Sequence, residues 1–278
     1  MTEHLPPAGL NIRGTVLVVP GRGESPLSYA RFGRRLAADA YHVRILPPGA
    51  AHSPAELGAA LTAAVHDLPT SVVRPLVLAG SDTGAAVLAA LLATHPETVR
   101  AVPAVGPASG SDAEVAVPSS VLPAAGADSV PPWWPEAVVL AGLPGHDRRH
   151  DGDWEQELDA RSHCPVHRGV LSDDAAVVRG ALAAAAPAEL LDSVYGSASP
   201  VPHLLLVGET DPLADRDALT RLVKTLPAAR LSVVRGAHHD VLNDVSHRSV
   251  AAEVVSFLEA VRDGVPPRPF VRAESSAW

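Results

Sequence analysis

The chain has 278 residues and a mass of 28.7 kDa, room for one large domain or one domain carrying an insertion. Hydrophobic residues make up 47% of it but aromatic residues only 4%, so its apolar mass is Ala, Val and Leu, which suits a helix-rich α/β protein better than a sandwich. With 22 basic against 31 acidic residues and a formal charge of −9, it lacks the basic face that binding a nucleic acid requires. Cys164 is the only cysteine, which excludes an intramolecular disulfide and any site built from paired cysteines.

No segment has the length and hydropathy of a membrane helix, and Pro6 and Pro7 stand where a secretory leader would carry its apolar run. The expectation is a soluble cytoplasmic protein acting on a small molecule, with neither nucleic acid nor membrane as partner; a homodimer is compatible with this.

In chain order, short β-branched runs alternate with helical patterns, the signature of βαβ units wound into a parallel sheet. Thr15–Val19 predicts the first strand, Tyr29–Asp39 a helix, His42–Leu46 a second strand and Pro54–Leu68 a second helix. Pro75–Ala79 predicts a buried strand, Gly80–Gly84 a tight turn, Ala85–Thr94 a helix and Val99–Val105 another strand. From about residue 106 to 200, Pro and Gly break up the pattern, and this stretch reads as an insertion. Regular patterning resumes with strand His203–Val207, helix Arg216–Leu226, strand Arg230–Val234 and helix Ser249–Arg262, before a Pro-rich tail.

The strand and helix around residue 80 enclose Gly80-Ser81-Asp82-Thr83-Gly84, with the spacing of a nucleophile elbow whose flanking glycines let the chain reverse sharply. The central residue is Asp82. A frame centred on Ser81 would put Ala79 and Thr83 in the glycine positions, and a third reading makes Asp82 a simple helix cap. Asp211 follows the strand HLLLV, and the segment Gly236–Asp240 with its pair His238-His239 follows the next strand. The order nucleophile, acid, histidine is the one expected at the carboxyl ends of such a sheet.

On these motifs the chain resembles the α/β-hydrolase superfamily, with a core at 1–105 and 201–278 and a helical cap at 106–200. In GAHHDVLND the second histidine, His239, aligns with the catalytic one. Because the elbow carries an acid, the resemblance is to the aspartate-nucleophile epoxide hydrolases. It implies that Asp82 opens the ring as an alkyl ester and that His239, paired with Asp211, activates water to release a vicinal diol. It implies an oxyanion hole from the backbone N–H groups of Thr83 and Arg22, although Pro20-Gly21-Arg22-Gly23 departs from the family's His-Gly-x-Pro. Trp133, Trp134 and Tyr195 are the candidate donors to the departing oxygen, in place of the family's two cap tyrosines, and they suggest an apolar aromatic substrate such as a polyketide epoxide.

No cofactor is expected. His146 with His150, and His163 with His167, have metal-ligand spacing but no evident complete ligand set. The alternatives are a dehalogenase, an esterase or lactonase using Ser81, and a non-catalytic ligand binder in which Asp82 replaces a working serine.

Overall fold

The computed structural model describes residues 2–68, 71–94, 130–265 and 269. Seven strands form one sheet: β1 (Thr2–His4), β2 (Gly14–Val19), β3 (Tyr41–Ile45), β4 (Leu76–Ser81), β5 (Ala137–Ala141), β6 (His203–Gly208) and β7 (Ala229–Val234). Their order across the sheet is β1-β3-β2-β4-β5-β6-β7. Every pairing is parallel except that of β1 with β3.

The central strands are apolar at almost every position because both faces of the sheet are covered. Alternate side chains go to opposite sides. Leu17, Leu78, Leu140 and Leu205 enter one core, with residues of α2 (Pro54–His66), α3 (Asp82–Ala93), α6 (Ala188–Tyr195) and α7 (Arg216–Thr225). Val18, Val77, Val139 and Leu206 enter the other, with α1 (Ala30–Ala38) and α8 (His247–Arg262). On α1 the buried residues Phe32 and Leu36 are four apart and share one face, so period 3.6 turns toward the sheet what the sequence pattern predicted.

The predicted strands and helices that fall among the described residues correspond to observed ones within a few residues. Two strands differ from expectation. β1 is three residues long, too short for an alternating pattern to register. β5, with the sequence AVVLA, lies inside the stretch 106–200 assigned to the cap, yet it is a fully buried strand between β4 and β6. α6 from the same stretch packs on α3. What lies over the carboxyl end of the sheet is the segment between these two, carrying α4 (Trp154–Arg161) and α5 (Pro165–Asp173). The predicted strand Val99–Val105, residues 106–129 and most of the tail lie outside the described residues.

Candidate active site

The turn from β4 into α3 places Asp82 at φ 49°, a left-handed conformation that L residues with side chains avoid and that Asp tolerates better than most. Its two glycines are required by close approach. A Cβ on Gly80 would lie 2.6 Å from Ala85 Cα, and one on Gly84 would run into the carbonyl oxygens of Pro20 and Val19. Helix and strand therefore meet backbone to backbone, and the side chain between the glycines is pushed out beyond the end of the strand.

The residues that chain order brings together meet here. Asp82 Oδ1 is 3.2 Å from His239 Nε2, and His239 Nδ1 is 3.0 Å from both oxygens of Asp211. Asp211 Oδ1 also accepts the Leu213 N–H at 2.8 Å, which fixes the carboxylate in the turn after β6. His239, not His238, faces the elbow; His238 Nδ1 instead lies 3.0 Å from Asp244 Oδ2. Ser81, the nucleophile of the alternative frame, ends β4 within hydrogen-bond reach of the buried Tyr29 hydroxyl.

Arg22 does more than the sequence suggests. Its backbone N–H donates to Asp82 Oδ2 at 2.9 Å, as an oxyanion-hole donor would. Its side chain donates to both carboxylate oxygens as well, Nε to Oδ2 and Nη2 to Oδ1, each at 2.7 Å. Nη1 donates to the Ala184 carbonyl, tying the loop to the covering segment. Asp82 is thus a buried carboxylate held in a guanidinium fork on one side and against an imidazole on the other. Thr83 is half-buried at the start of α3, next to the elbow.

These contacts set the charges. Burial alone would raise the Asp82 carboxyl, but the His239 ring 3.2 Å away and the Arg22 bonds outweigh it and hold it well below the usual carboxylate range. Burial would lower His239, yet Asp211 and Asp82 together push it up to about 10. Both shifts favour the charged forms, an ionised Asp82 facing a protonated His239.

Trp133 and Trp134 are not at this site. They precede β5, at the amino end of the sheet, where Arg74 Nη1 donates to the Trp134 carbonyl at 3.3 Å. Both are buried in the core with Leu57, Leu61 and Leu91. The six-residue strand β4 alone, on the order of 20 Å long, separates that end from Asp82. In an aromatic-poor chain a buried Trp pair fills core volume, and the expected aromatic wall over the nucleophile loses its basis. Tyr195 lies on the correct side: burial and the nearby Asp215 and Asp211 raise its hydroxyl. That hydroxyl donates to Pro144 O at 2.8 Å.

A second buried cluster stands behind the first and was not foreseen. Arg161, fully buried at the end of α4, donates to the Arg22 carbonyl at 2.8 Å and to Glu157 Oε1 at 2.9 Å, and lies 3.5 Å from Asp240 Oδ1. His167 Nε2 is 2.8 Å from Asp240 Oδ2. Glu24 accepts from the Tyr29 hydroxyl and, at 3.0 Å, from the Gly21 N–H. Burial, with Asp240 nearby, raises its carboxyl to about 7. Among the described residues Glu24, His167 and Asp240 form the one set close enough to ligate a metal; Arg161 already supplies the positive charge there. His146, by contrast, lies 2.9 Å from Asp192 Oδ1. A buried arginine leaves no mark in a sequence, since DAR at the end of a polar helix reads as a solvated face.

A mostly parallel sheet with helices on both faces, an elbow after its central strand, and acid and histidine after later strands define the α/β-hydrolase fold. The sequence matches the model of the hydrolase family described as serine aminopeptidase, S33, over residues 11–246, and the chain belongs to that family. The family description names a serine, whereas the elbow here carries Asp82. No curated protein matches the chain significantly. The structure is similar to that of a monoacylglycerol lipase from Paleococcus ferrophilus, with 15% identity, a TM-score of 0.63 and coverage of 94% of this chain and 98% of the other. It is similar to a soluble variant of the monoglyceride lipase from Saccharomyces cerevisiae, with 13% identity, a TM-score of 0.62 and coverage of 94% and 91%. A lipase-esterase related protein from Clostridium acetobutylicum gives 13% identity, a TM-score of 0.62 and coverage of 92% and 98%.

Proposed function

We propose that the protein is a hydrolase that attacks a saturated electrophilic carbon through Asp82, with an epoxide as the preferred electrophile. The observation that carries this reading is the Asp82–His239–Asp211 line, 3.2 Å and 3.0 Å between partners, with an anion-directed N–H from Arg22 on the same carboxylate. A carboxylate needs no base to become a nucleophile. In the first step an Asp82 oxygen bonds to a ring carbon, the C–O bond breaks, and the electron pair goes to the ring oxygen, which takes the proton of the His239 imidazolium. His239 is then neutral and able to accept a proton from water. Water attacks the ester carbonyl, the Arg22 and Thr83 N–H groups steady the oxyanion, and the diol leaves with Asp82 ionised and His239 protonated again. The requirement for a proton on the leaving atom favours an epoxide over a halide, which departs without one.

A single turnover of an aryl epoxide in oxygen-18 water tests this. The reading expects label in the peptide containing Asp82. Diol formed without label in that peptide means direct attack by water and overturns it. A second reading, a non-catalytic ligand binder, is favoured by one observation: the guanidinium fork occupies both oxygens of Asp82. It expects a ligand recovered unchanged.

A further inference from the structure

The fork on Asp82 poses a problem of charge that alkylation makes acute. Arg22 is only 12% exposed at its side chain and has no other acidic partner among the described residues. When Asp82 becomes an ester it can no longer neutralise that guanidinium, and an arginine side chain cannot lose its charge to compensate. A largely buried cation is costly to leave unpaired, which points to a replacement anion arriving at the same place in the complex that reacts. The replacement must also match the fork. Arg22 presents Nε and Nη2 in one plane, each 2.7 Å from one oxygen of the Asp82 carboxylate, so the anion already seated in the fork is a carboxylate and a second carboxylate reproduces its geometry. Nη1, held on the Ala184 carbonyl, keeps the side chain from swinging out to solvent.

We propose that Arg22 sets the substrate class: the site takes an electrophile bearing a carboxylate beside the carbon that Asp82 attacks, and the guanidinium passes from Asp82 to that carboxylate as the substrate binds. This rests on the Asp82 reading above. It replaces the apolar aromatic substrate expected from the sequence by a small epoxy acid. No redox partner or cofactor enters, and the bonds made and broken are those already described, with the substrate carboxylate unchanged throughout.

The test separates recognition from reaction. Asp82→Asn removes the charge as esterification does, keeps the side-chain shape and suits a positive φ. Titrated with acetate and benzoate, this variant is expected to bind about tenfold more tightly than the native protein, the worth of one charge-assisted pair. The gain should vanish in Asp82→Asn with Arg22→Met, which keeps the Arg22 N–H, and should be absent for acetamide and benzamide. Equal carboxylate binding with and without Arg22→Met, or tighter binding of inorganic phosphate, overturns the proposal. If Asp82→Asn does not fold, Asp82→Gly, at ease at φ 49°, serves in its place. On the native protein, glycidate should exceed glycidamide in kcat/KM by about 10²-fold, and Arg22→Met should collapse that ratio. Equal turnover of both epoxides sinks the carboxylate preference and leaves the Asp82 reaction standing. Carboxylate binding through Arg22 without turnover of any epoxide does the reverse.

Discussion

The two ends of the sheet differ in how much charge they bury, a cluster at one and the Arg74–Glu136 pair beside β4 and β5 at the other. At the carboxyl end, Asp82, Asp211, His239, Arg22 and, behind them, Glu24, Asp240, His167 and Arg161 bring charge into the interior. At the amino end of the same strands, Trp133 and Trp134 pack with rings 5.8 Å apart into an apolar core. The central strands between are apolar at almost every position, so they serve as a rigid spacer that holds ionised groups in place without solvating them. One end is tuned for charge and the other for cohesion, and side chains of equal burial therefore have different consequences when changed.

Substitutions at the two ends should separate chemistry from stability. Asp82→Ala is expected to lower single-turnover ester formation by about 10⁴-fold or more, with thermal unfolding showing that the fold persists; retained turnover would return the reaction to another nucleophile. Gly84→Ala should destabilise the elbow by about 3 kcal/mol, because its methyl group meets the Pro20 carbonyl and neither backbone can yield; a denaturation midpoint equal to that of the native protein would contradict the packing described. Arg161→Met leaves Glu157 and Asp240 as buried anions without their cation, and a loss of about 3–5 kcal/mol is expected from equilibrium unfolding. Trp134→Phe, at the other end, should cost about 1–3 kcal/mol of stability and leave kcat/KM unchanged; a change in kcat/KM would break the division between the ends.

A further expected effect is in pH dependence. His239 is raised in the folded state above its unfolded value, so its pairing stabilises fully below about pH 6.5 and is lost as pH rises through about 10. Asp82 is lowered, so its contribution is present above the ordinary carboxylate range and fades as pH falls through its folded value. Unfolding free energy measured from pH 7 to 10 should fall less in His239→Gln than in the native protein; parallel curves would show that the imidazole does not titrate as described.

Much of this was legible in the sequence because it follows local rules. The elbow announces itself because two glycines at fixed spacing are needed wherever a strand meets a helix this closely, and Asp211 and His239 follow strands whose apolar runs are unmistakable. The Trp pair misled because rarity says nothing about which end of a strand a residue occupies; AVVLA, three residues further on, was the clue, since a buried strand there puts its preceding residues at the amino end. The side chain of Arg22 and the whole of Arg161 were illegible for another reason. Apart from Glu157, four residues before Arg161 on α4, their partners lie between 60 and 162 residues away, and such pairings are settled by tertiary packing alone.

The bend at Asp82 narrows which amino acids this position can host. At a dihedral of 49°, glycine and asparagine sit comfortably, while valine, isoleucine and threonine are penalised before any chemistry is considered. A saturation library here would therefore report conformation and reactivity mixed together. Asparagine is the informative replacement, since it holds the outline of the native group and surrenders only its charge.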